Sequence, residues 1–189
     1  MASIALDPAY RRISVEEFLA MDFRGAKAEL DNGLIYMMAG GTAIHAMVCG
    51  NIYVALRTRL RGTGCRPYGP DLLVKTGADT ARLPDVSVYC GSPADPANDL
   101  KQLLGDPVMV IEVLSPSTAS HDQVVKLREY TAMAGMRDIL FVDPNMQRIR
   151  HVRRVGTSDW ADDWLPAEAD VVLASLGITL PHEEVFSRD

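Results

Sequence analysis

The segment that most constrains the fold is an almost unbroken apolar run from Pro107 to Leu114, which contains a single carboxylate, Glu112. Its length, its valine and isoleucine content and the turn-forming pairs on both sides predict a strand that is buried on both faces. Strand alternation places Glu112 on the same face as Val108, Val110 and Leu114. Because an unpaired buried carboxylate is costly, Glu112 is expected to be protonated, paired with a cation or bound to a metal ion.

Length and composition are those of a globular chain with its own core. The 189 residues are 48% hydrophobic and 23% charged, which predicts one domain over residues 1–189. No apolar stretch is long enough for a membrane span and the first residues lack a signal-peptide pattern, so we expect a cytoplasmic protein without a membrane partner. The net charge of −6 counts against tight non-specific DNA binding. Four arginines between positions 57 and 66 leave open a local basic patch or a solvated helix end.

The pattern of apolar residues predicts an α/β arrangement with a mixed central sheet and a helix on either side of the central strands. Turn and capping signals divide the chain into short elements. The expected elements are a capped helix from Ser14, a hairpin around Asn32-Gly33, a long helix from Thr42 to about Leu60, strands at Leu72–Val74, Leu83–Cys90 and Pro107–Leu114, a helix from about Ser120 to Ala134, strands at Ile139–Val142 and Ile149–Val155, a loop with Trp160 and Trp164, a strand near Val171–Leu173 and a turn near Glu183–Phe186.

Two further side chains are spaced so that they can act together with Glu112. Asp85 opens the strand that precedes the central one, so pairing of the two strands would bring two carboxylates together around a hard cation. In the following helix Lys126 shares a face with Asp122 and with Glu129 or Tyr130, opposite an apolar stripe that includes Val124. Lys126 can therefore be the counter-ion of Glu112 or a cation that stabilises a reacting phosphate.

The runs Leu83 to Val88 and Val110 to Thr118, the spacing Asp122, Lys126, Tyr130, and Phe141-Val142-Asp143-Pro144 resemble the Uma-type family of the PD-(D/E)xK, restriction-endonuclease-like superfamily. The resemblance covers roughly residues 14–187, and Ala28 to Gly33 and His45 also fit it. It implies a restriction-endonuclease-like mixed central β-sheet flanked by helices, metal-dependent phosphodiester hydrolysis and often a homodimer. By position, it implies that Asp85 and Glu112 bind Mg²⁺ (or Mn²⁺), that Lys126 is the catalytic lysine and that Glu29 is an accessory carboxylate.

The chain departs from the superfamily motif at one position. The motif places a lysine two residues after the glutamate, where this chain has Leu114. Members of the family commonly carry the lysine on the following helix, and Lys126 fits that displacement.

Each of these residues has a structural alternative. Glu112 and Lys126 can form a buried salt bridge without catalysis. Asp71 rivals Asp85, since Pro70-Asp71 also precedes an apolar run. Lys126 can lie on a solvated helix face, and Glu29 can be an exposed residue at the end of a strand.

Other chemically active residue types are given structural interpretations. His45 and Cys49 are spaced i, i+4, but without a second pair of ligands zinc is not expected, and His45 is interpreted as a helix-start residue near the cleft. The scattered set Cys49, Cys65 and Cys90 predicts reduced thiols. The hydroxyls of residues 115 and 117 are interpreted as capping groups, and Trp160 and Trp164 as packing groups rather than stacking platforms.

The function that these residues favour is a Mg²⁺-dependent endonuclease that hydrolyses phosphodiester bonds of nucleic acid, with DNA as the preferred substrate. Two alternatives are a catalytically silent nucleic-acid- or protein-binding module on the same fold and a metal hydrolase of another phosphoester. A homodimer is expected from the resemblance, and the apolar edge Leu34 to Met38 can support it or belong to the core.

Overall fold

The strand that carries Glu112 lies inside a six-stranded sheet of the computed structural model, which describes residues 11–115 and 122–188. Twelve strands and four α-helices are numbered here in chain order. The helices are α1 (Val15–Leu19), α2 (Ala43–Arg59), α3 (Leu127–Ala132) and α4 (His182–Val185), with a 3₁₀ turn at Pro96–Asn98 and a π-helical turn at Asp122–Lys126. The strands are β1 (Ala28–Asp31), β2 (Leu34–Met37), β3 (Cys65–Tyr68), β4 (Val74–Lys75), β5 (Ala81–Arg82), β6 (Val86–Cys90), β7 (Met109–Val113), β8 (Asp138–Asp143), β9 (Arg148–Arg154), β10 (Trp160–Trp164), β11 (Val171–Leu173) and β12 (Ile178–Leu180).

The large sheet has the order β10-β9-β8-β7-β6-β3 and is mixed. Only β7 and β8 run parallel among these neighbours, because the chain between them crosses over through α3, whereas the other pairs are antiparallel. In this register Glu112 lies opposite Phe141 of β8, and Ile111 lies opposite Val86 of β6. The α/β fold with a mixed central sheet is thus confirmed.

A second sheet of four strands has the order β2-β1-β5-β4 and carries Glu29. The predicted hairpin joins β1 to β2, with Asn32 and Gly33 both at positive φ (48° and 79°), as its tight turn requires. A Cβ atom at Gly33 would lie 2.8 Å from the Cβ of Arg12, so the chain also approaches closely here. Strands β11 and β12 form a separate antiparallel pair.

The two faces of the large sheet bury different sets of residues. Helix α2 packs Val48, Ile52 and Leu56 against the face of β6, β7 and β8 that carries Val86 and Ile111. On the other face, α3 packs against Val110, Leu114, Ile139, Phe141 and Val152. The second set contains Val110 and Leu114, two of the apolar neighbours that strand alternation predicts for Glu112, whereas the third, Val108, packs against the first set because it precedes the first residue of β7.

The helix after β7 corrects two expectations. Its buried residues are Lys126 and Tyr130, whereas Val124, from the predicted apolar stripe, is exposed. The helix ends at Ala132, three residues before Gly135, and its first described turn is a π turn rather than a regular α turn. The predicted start near position 120, and the capping role of residue 117, lie outside the described residues.

Two other expectations are wrong. Trp160 and Trp164 begin and end strand β10, which pairs with β9, instead of lying in a loop; no strand was expected there because the segment Trp160–Trp164 contains two aspartates. Cys65 and Cys90 are register partners on β3 and β6 and form a disulfide, whereas reduced thiols were expected. Strands β3, β5 and β12 were not predicted because they have only two to four residues each, too few for an alternating pattern. Within 11–115 and 122–188 no helix is both long and apolar enough to span a membrane.

Candidate active site

Glu112 lies on the buried strand β7, where only 4% of the residue is exposed. Both of its carboxylate oxygens accept hydrogen bonds from the Lys126 amino group, at 3.1 and 3.2 Å. The Tyr130 hydroxyl donates to Glu112 Oε1 at 2.6 Å. A strand therefore carries the carboxylate, and one face of the following helix supplies both donors.

Lys126 is as buried as Glu112, with 4% exposure, so the alternative of a solvated helix face is wrong for it. Its amino group also lies 3.1 Å from Oε1 of Glu29, on strand β1 of the smaller sheet. The same Glu29 oxygen accepts the backbone N–H of Leu83 at 3.0 Å. Lys126 is thus a cation held between carboxylates from the two sheets, and Glu29 is buried rather than an exposed strand end.

A second buried cation, Arg82, pairs with neighbouring carboxylates of the same cluster. It is 1% exposed and makes two hydrogen bonds to Glu129, at 2.8 and 2.5 Å, and one to Asp31 at 3.0 Å. One guanidinium nitrogen lies 3.6 Å from Oε2 of Glu29. Burial opposes the charge of Arg82, but the bonds to Glu129 and the negative charges of Glu129, Glu29 and Asp31 together outweigh it and raise the pKa, so the guanidinium stays charged.

Tyr130 fixes the orientation of the Glu112 carboxylate. Its side chain is fully buried, and burial together with the negative charge of Glu112 raises the pKa of its hydroxyl well above the ordinary value. The phenol therefore stays neutral and keeps its proton as a donor. A short hydrogen bond to a charged acceptor of this kind is stronger than one between neutral groups.

Asp85 lies just before strand β6, next to the Glu112 strand. Its Oδ2 accepts the backbone N–H of Val113, the residue after Glu112, at 2.8 Å. The same oxygen lies 3.4 Å from Nε2 of His45, in the first turn of α2. The hydrogen bond with Asp85 raises the pKa of His45, although burial acts in the opposite direction. The raised pKa favours an imidazolium beside the carboxylate.

Cys49 completes a small group beside Asp85. Its sulfur lies 3.5 Å from Nδ1 of His45, one helical turn earlier, and one nitrogen, one sulfur and one carboxylate oxygen from His45, Cys49 and Asp85 all lie within 4.8 Å of one another. Burial and then the charge of Asp85 raise the pKa of the Cys49 thiol. Only the i, i+4 spacing of His45 and Cys49 was visible in the sequence; the third member comes from a distant strand.

The structure thus brings Glu29, Glu112 and Lys126 into direct contact and connects Asp85 to them through the Val113 amide. The rival Asp71 lies elsewhere: its side chain is 86% exposed and pairs with Lys27. The Asp122 side chain lies outside the described residues.

Arg82 was not predicted to belong to the site, and no role was predicted for Tyr130. No pattern marks Arg82, because its partners come from β1 and α3. The spacing of Tyr130 from Lys126 did place both residues on one helical face.

Comparison with known proteins identifies the family. The sequence profile of a family described as "Putative restriction endonuclease" (Uma2) matches residues 15–183. The chain belongs to this family. The Uma2 match spans α1, the large sheet, the four-stranded sheet and the start of α4, so it includes all the residues of the cluster described above.

Two relatives and one solved structure are also similar to this chain. Two proteins of Synechocystis, named "Uncharacterized protein slr1290" and "Uncharacterized protein sll1609", are 28% and 26% identical to this Uma2 chain over 94% and 71% of its length, and 93% and 76% of theirs. The crystal structure of "a putative nuclease belonging to DUF820" from Anabaena variabilis matches with a TM-score of 0.74 at 21% identity, covering 93% of this chain and 98% of that one. This structural likeness shows a shared fold.

Proposed function

We propose that this Uma2 protein is a metal-dependent nuclease that hydrolyses phosphodiester bonds of nucleic acid, with DNA as the preferred substrate. The observation that carries the proposal is the buried contact of Lys126 with Glu112 and Glu29, beside Asp85. Nucleases of this kind need carboxylates for a divalent ion and a cation near the scissile phosphate. Membership of a family described as restriction endonucleases, and the fold shared with a protein titled a nuclease, support the same chemistry.

The charges of the cluster fit a divalent cation. Within the described part of the chain, four carboxylates (Glu29, Asp31, Glu112 and Glu129) contact two buried cations, Lys126 and Arg82, and a fifth, Asp85, is bound to the Val113 amide next to Glu112. A surplus of carboxylate oxygens is the environment in which Mg²⁺ or Mn²⁺ binds. Asp85 and Glu112, on neighbouring strands, are the residues that would hold the ion. When bound, such an ion lowers the pKa of a coordinated water and offsets the charge of the phosphate.

The protein's own groups have separate roles in this proposal. Lys126 supplies the positive charge that orients the attacking water and stabilises the charge that develops on the phosphate. Glu29, fixed by the Leu83 amide, holds the amino group of Lys126 in place. Tyr130 holds Glu112, and Arg82 holds Glu29 in turn. The binding-module alternative assigns the same contacts to stability alone, so activity decides between the two.

A matched pair of variants tests the proposal, because Asp85 and Asp71 both follow a proline. With plasmid DNA and Mg²⁺ or Mn²⁺, we expect Asp85→Asn to lower the rate of cleavage roughly 10²-fold or more, the scale of losing one preorganised charged group. Asp71→Asn, on the exposed surface, should cleave like the wild type. The measurement is the nicking rate on a gel, with a chelator as a further control and RNA as a parallel substrate.

Undiminished cleavage by Asp85→Asn, or cleavage that survives the chelator, would contradict the proposal. A wild type that binds nucleic acid but never cuts it would favour the binding module. The proposal includes a homodimer and a cytoplasmic location, where the Cys65–Cys90 disulfide has to persist against reducing thiols.

A further inference from the structure

We propose that His45, Cys49 and Asp85 bind a transition-metal ion of the Zn²⁺ or Co²⁺ class through a nitrogen, a sulfur and an oxygen atom. The inference rests on the proposed function through Asp85, which belongs to both sets of ligands, and it adds a transition-metal site to the Mg²⁺ or Mn²⁺ site proposed for Asp85 and Glu112. It assigns a ligand role to Cys49, which the nuclease chemistry does not need.

The start of helix α2 holds two of the ligands in place. Thr42 caps the helix and accepts the backbone N–H of His45 at 3.4 Å, which fixes the first turn. Cys49 follows four residues later on the same face, so the sulfur and the imidazole meet at 3.5 Å. A helix is a rigid support, and metal ligands on rigid elements keep their geometry without a large entropic cost.

The third ligand comes from the sheet and is oriented by the backbone. The Val113 amide holds Oδ2 of Asp85 at 2.8 Å, and this oxygen lies 3.4 Å from Nε2 of His45. Bond lengths of about 2.0–2.3 Å to nitrogen, oxygen and sulfur place the ligand atoms of a tetrahedral zinc site about 3.3–3.7 Å apart. The sulfur distance is to Nδ1 of His45 and the oxygen distance is to Nε2, and a single ion binds only one of these nitrogens. One ligand atom from each of the three side chains lies within 4.8 Å of the others, so side-chain rotations would bring them to bonding distance of one ion.

The chemistry of these donors selects the class of metal. Mg²⁺ takes oxygen ligands almost exclusively, whereas thiolate and imidazole favour Zn²⁺, Co²⁺ and related ions. Three protein ligands with a free coordination position are also the usual composition of a catalytic zinc site. The His45 and Asp85 side chains are 20% and 17% exposed, which leaves the site open to solvent.

The electrostatic balance at this position also favours a cation. The N-terminus of α2 carries a partial positive charge that opposes metal binding. Asp85 offsets it directly, and the charge of Glu112 reaches both His45 and Cys49. The carboxylates of Asp85 and Glu112 therefore compensate for the helix dipole.

Cobalt spectroscopy on the metal-free full chain, without nucleic acid, tests the inference. A Co²⁺ titration of the wild type should produce a sulfur-to-cobalt charge-transfer band in the near ultraviolet, together with visible bands of a low-coordinate ion. Cys49→Ser should lose the charge-transfer band. Its Co²⁺ affinity should fall by at least the roughly 10–100-fold that loss of an outer-shell partner costs.

A surface control isolates the assigned ligands. Asp71→Asn should give the wild-type spectrum, because the Asp71 side chain is exposed and pairs with Lys27. Circular dichroism checks that Cys49→Ser is folded, and the disulfide is kept oxidised so that Cys49 is the thiol tested. Absence of the band from the wild type, or its persistence in Cys49→Ser, would overturn the inference.

The result is independent of nuclease activity. A sulfur–cobalt band in a protein that never cleaves nucleic acid would support the metal site and contradict the proposed function. Mg²⁺-dependent cleavage without that band would support the function and overturn the site, leaving His45, Cys49 and Asp85 as a hydrogen-bonded group.

Discussion

At the scale of single residues, the central feature is a lysine that is buried with two carboxylates. Lys126 contacts Glu29 and Glu112 at 3.1 Å from each. Such a cluster contributes little net stability relative to an apolar core, but removal of one partner leaves uncompensated buried charge. Inactivity of a Lys126 variant would therefore not by itself establish a catalytic role, because the same change also threatens the fold.

We expect Lys126→Ala to lower the free energy of unfolding by about 3–5 kcal/mol, because Glu29 and Glu112 would stay buried without their shared cation. Urea denaturation measures this value. Lys75→Ala is the matched control: Lys75 pairs with Glu16 at the surface, and its loss should change the unfolding midpoint very little. Equal effects of the two substitutions would show that the buried cluster is not under electrostatic constraint.

At the scale of elements, helix α2 connects the candidate site to the rest of the molecule. Its first turn carries His45, its middle packs on the large sheet, and its last turn pairs with α4 through Arg59 and Glu184. That pair has two parallel hydrogen bonds, at 2.8 and 2.6 Å. The position of the His45 turn therefore depends on packing along the whole helix.

The pairing with Arg59 lowers the pKa of Glu184, which predicts a defined dependence on pH. A carboxylate with a lowered folded-state pKa stabilises the fold above its ordinary pKa, and this contribution is lost as the pH falls through the folded-state value. We expect Glu184→Gln to be slightly less stable than the wild type at neutral pH, and we expect the difference to disappear as the pH falls below the folded-state pKa of Glu184. Urea unfolding across this range measures the difference; a difference that does not change with pH would contradict the assignment.

The disulfide is the second constraint at this scale, because it joins the edge strand β3 to β6. Closing a loop of 25 residues is expected to contribute about 3 kcal/mol, mainly by restricting the unfolded chain. Reduction, or the double change Cys65→Ser and Cys90→Ser, should lower the unfolding midpoint accordingly. Denaturation with and without reductant tests this, and the double variant should no longer respond to reductant.

At the scale of the whole molecule, the net charge of −6 repels nucleic acid, so binding would depend on local positive groups. A second whole-molecule feature is the edge strand β2 with the residue that follows it. The side chains of Ile35, Tyr36, Met37 and Met38 are all exposed there. The sequence left open whether the segment Leu34 to Met38 belongs to the core. Its exposure removes that explanation for four of the five residues, while Leu34 is partly buried.

The homodimer therefore remains a prediction with a specific surface. We expect light scattering after size-exclusion chromatography to give twice the mass of the chain, because pairing through β2 would cover exposed apolar area and an open strand edge. Tyr36→Lys should shift the protein toward the monomer, whereas Met146→Lys, at another exposed apolar residue, should not. A monomeric wild type, or equal effects of both changes, would exclude this surface.

Much of the fold could be predicted from local patterns. Apolar runs marked β7 and β8, the Asn32-Gly33 turn marked the first hairpin, and the Thr42 cap marked α2. Short polar strands such as β3 and β10 carry no such signal, because sheet pairing rather than side-chain preference stabilises them. The disulfide was likewise missed, since only strand register brings Cys65 opposite Cys90.

The sequence by itself determined that Glu112 is a buried carboxylate in need of a partner, since strand alternation within an apolar run fixes its environment. It also indicated Asp85, Lys126 and Glu29, partly through the family resemblance. Only the tertiary structure decided how these groups meet: Glu29 reaches Lys126 from another sheet, and Asp85 meets the His45 and Cys49 pair. Local spacing can place side chains on one face of an element, but which faces touch depends on the packing of the whole chain.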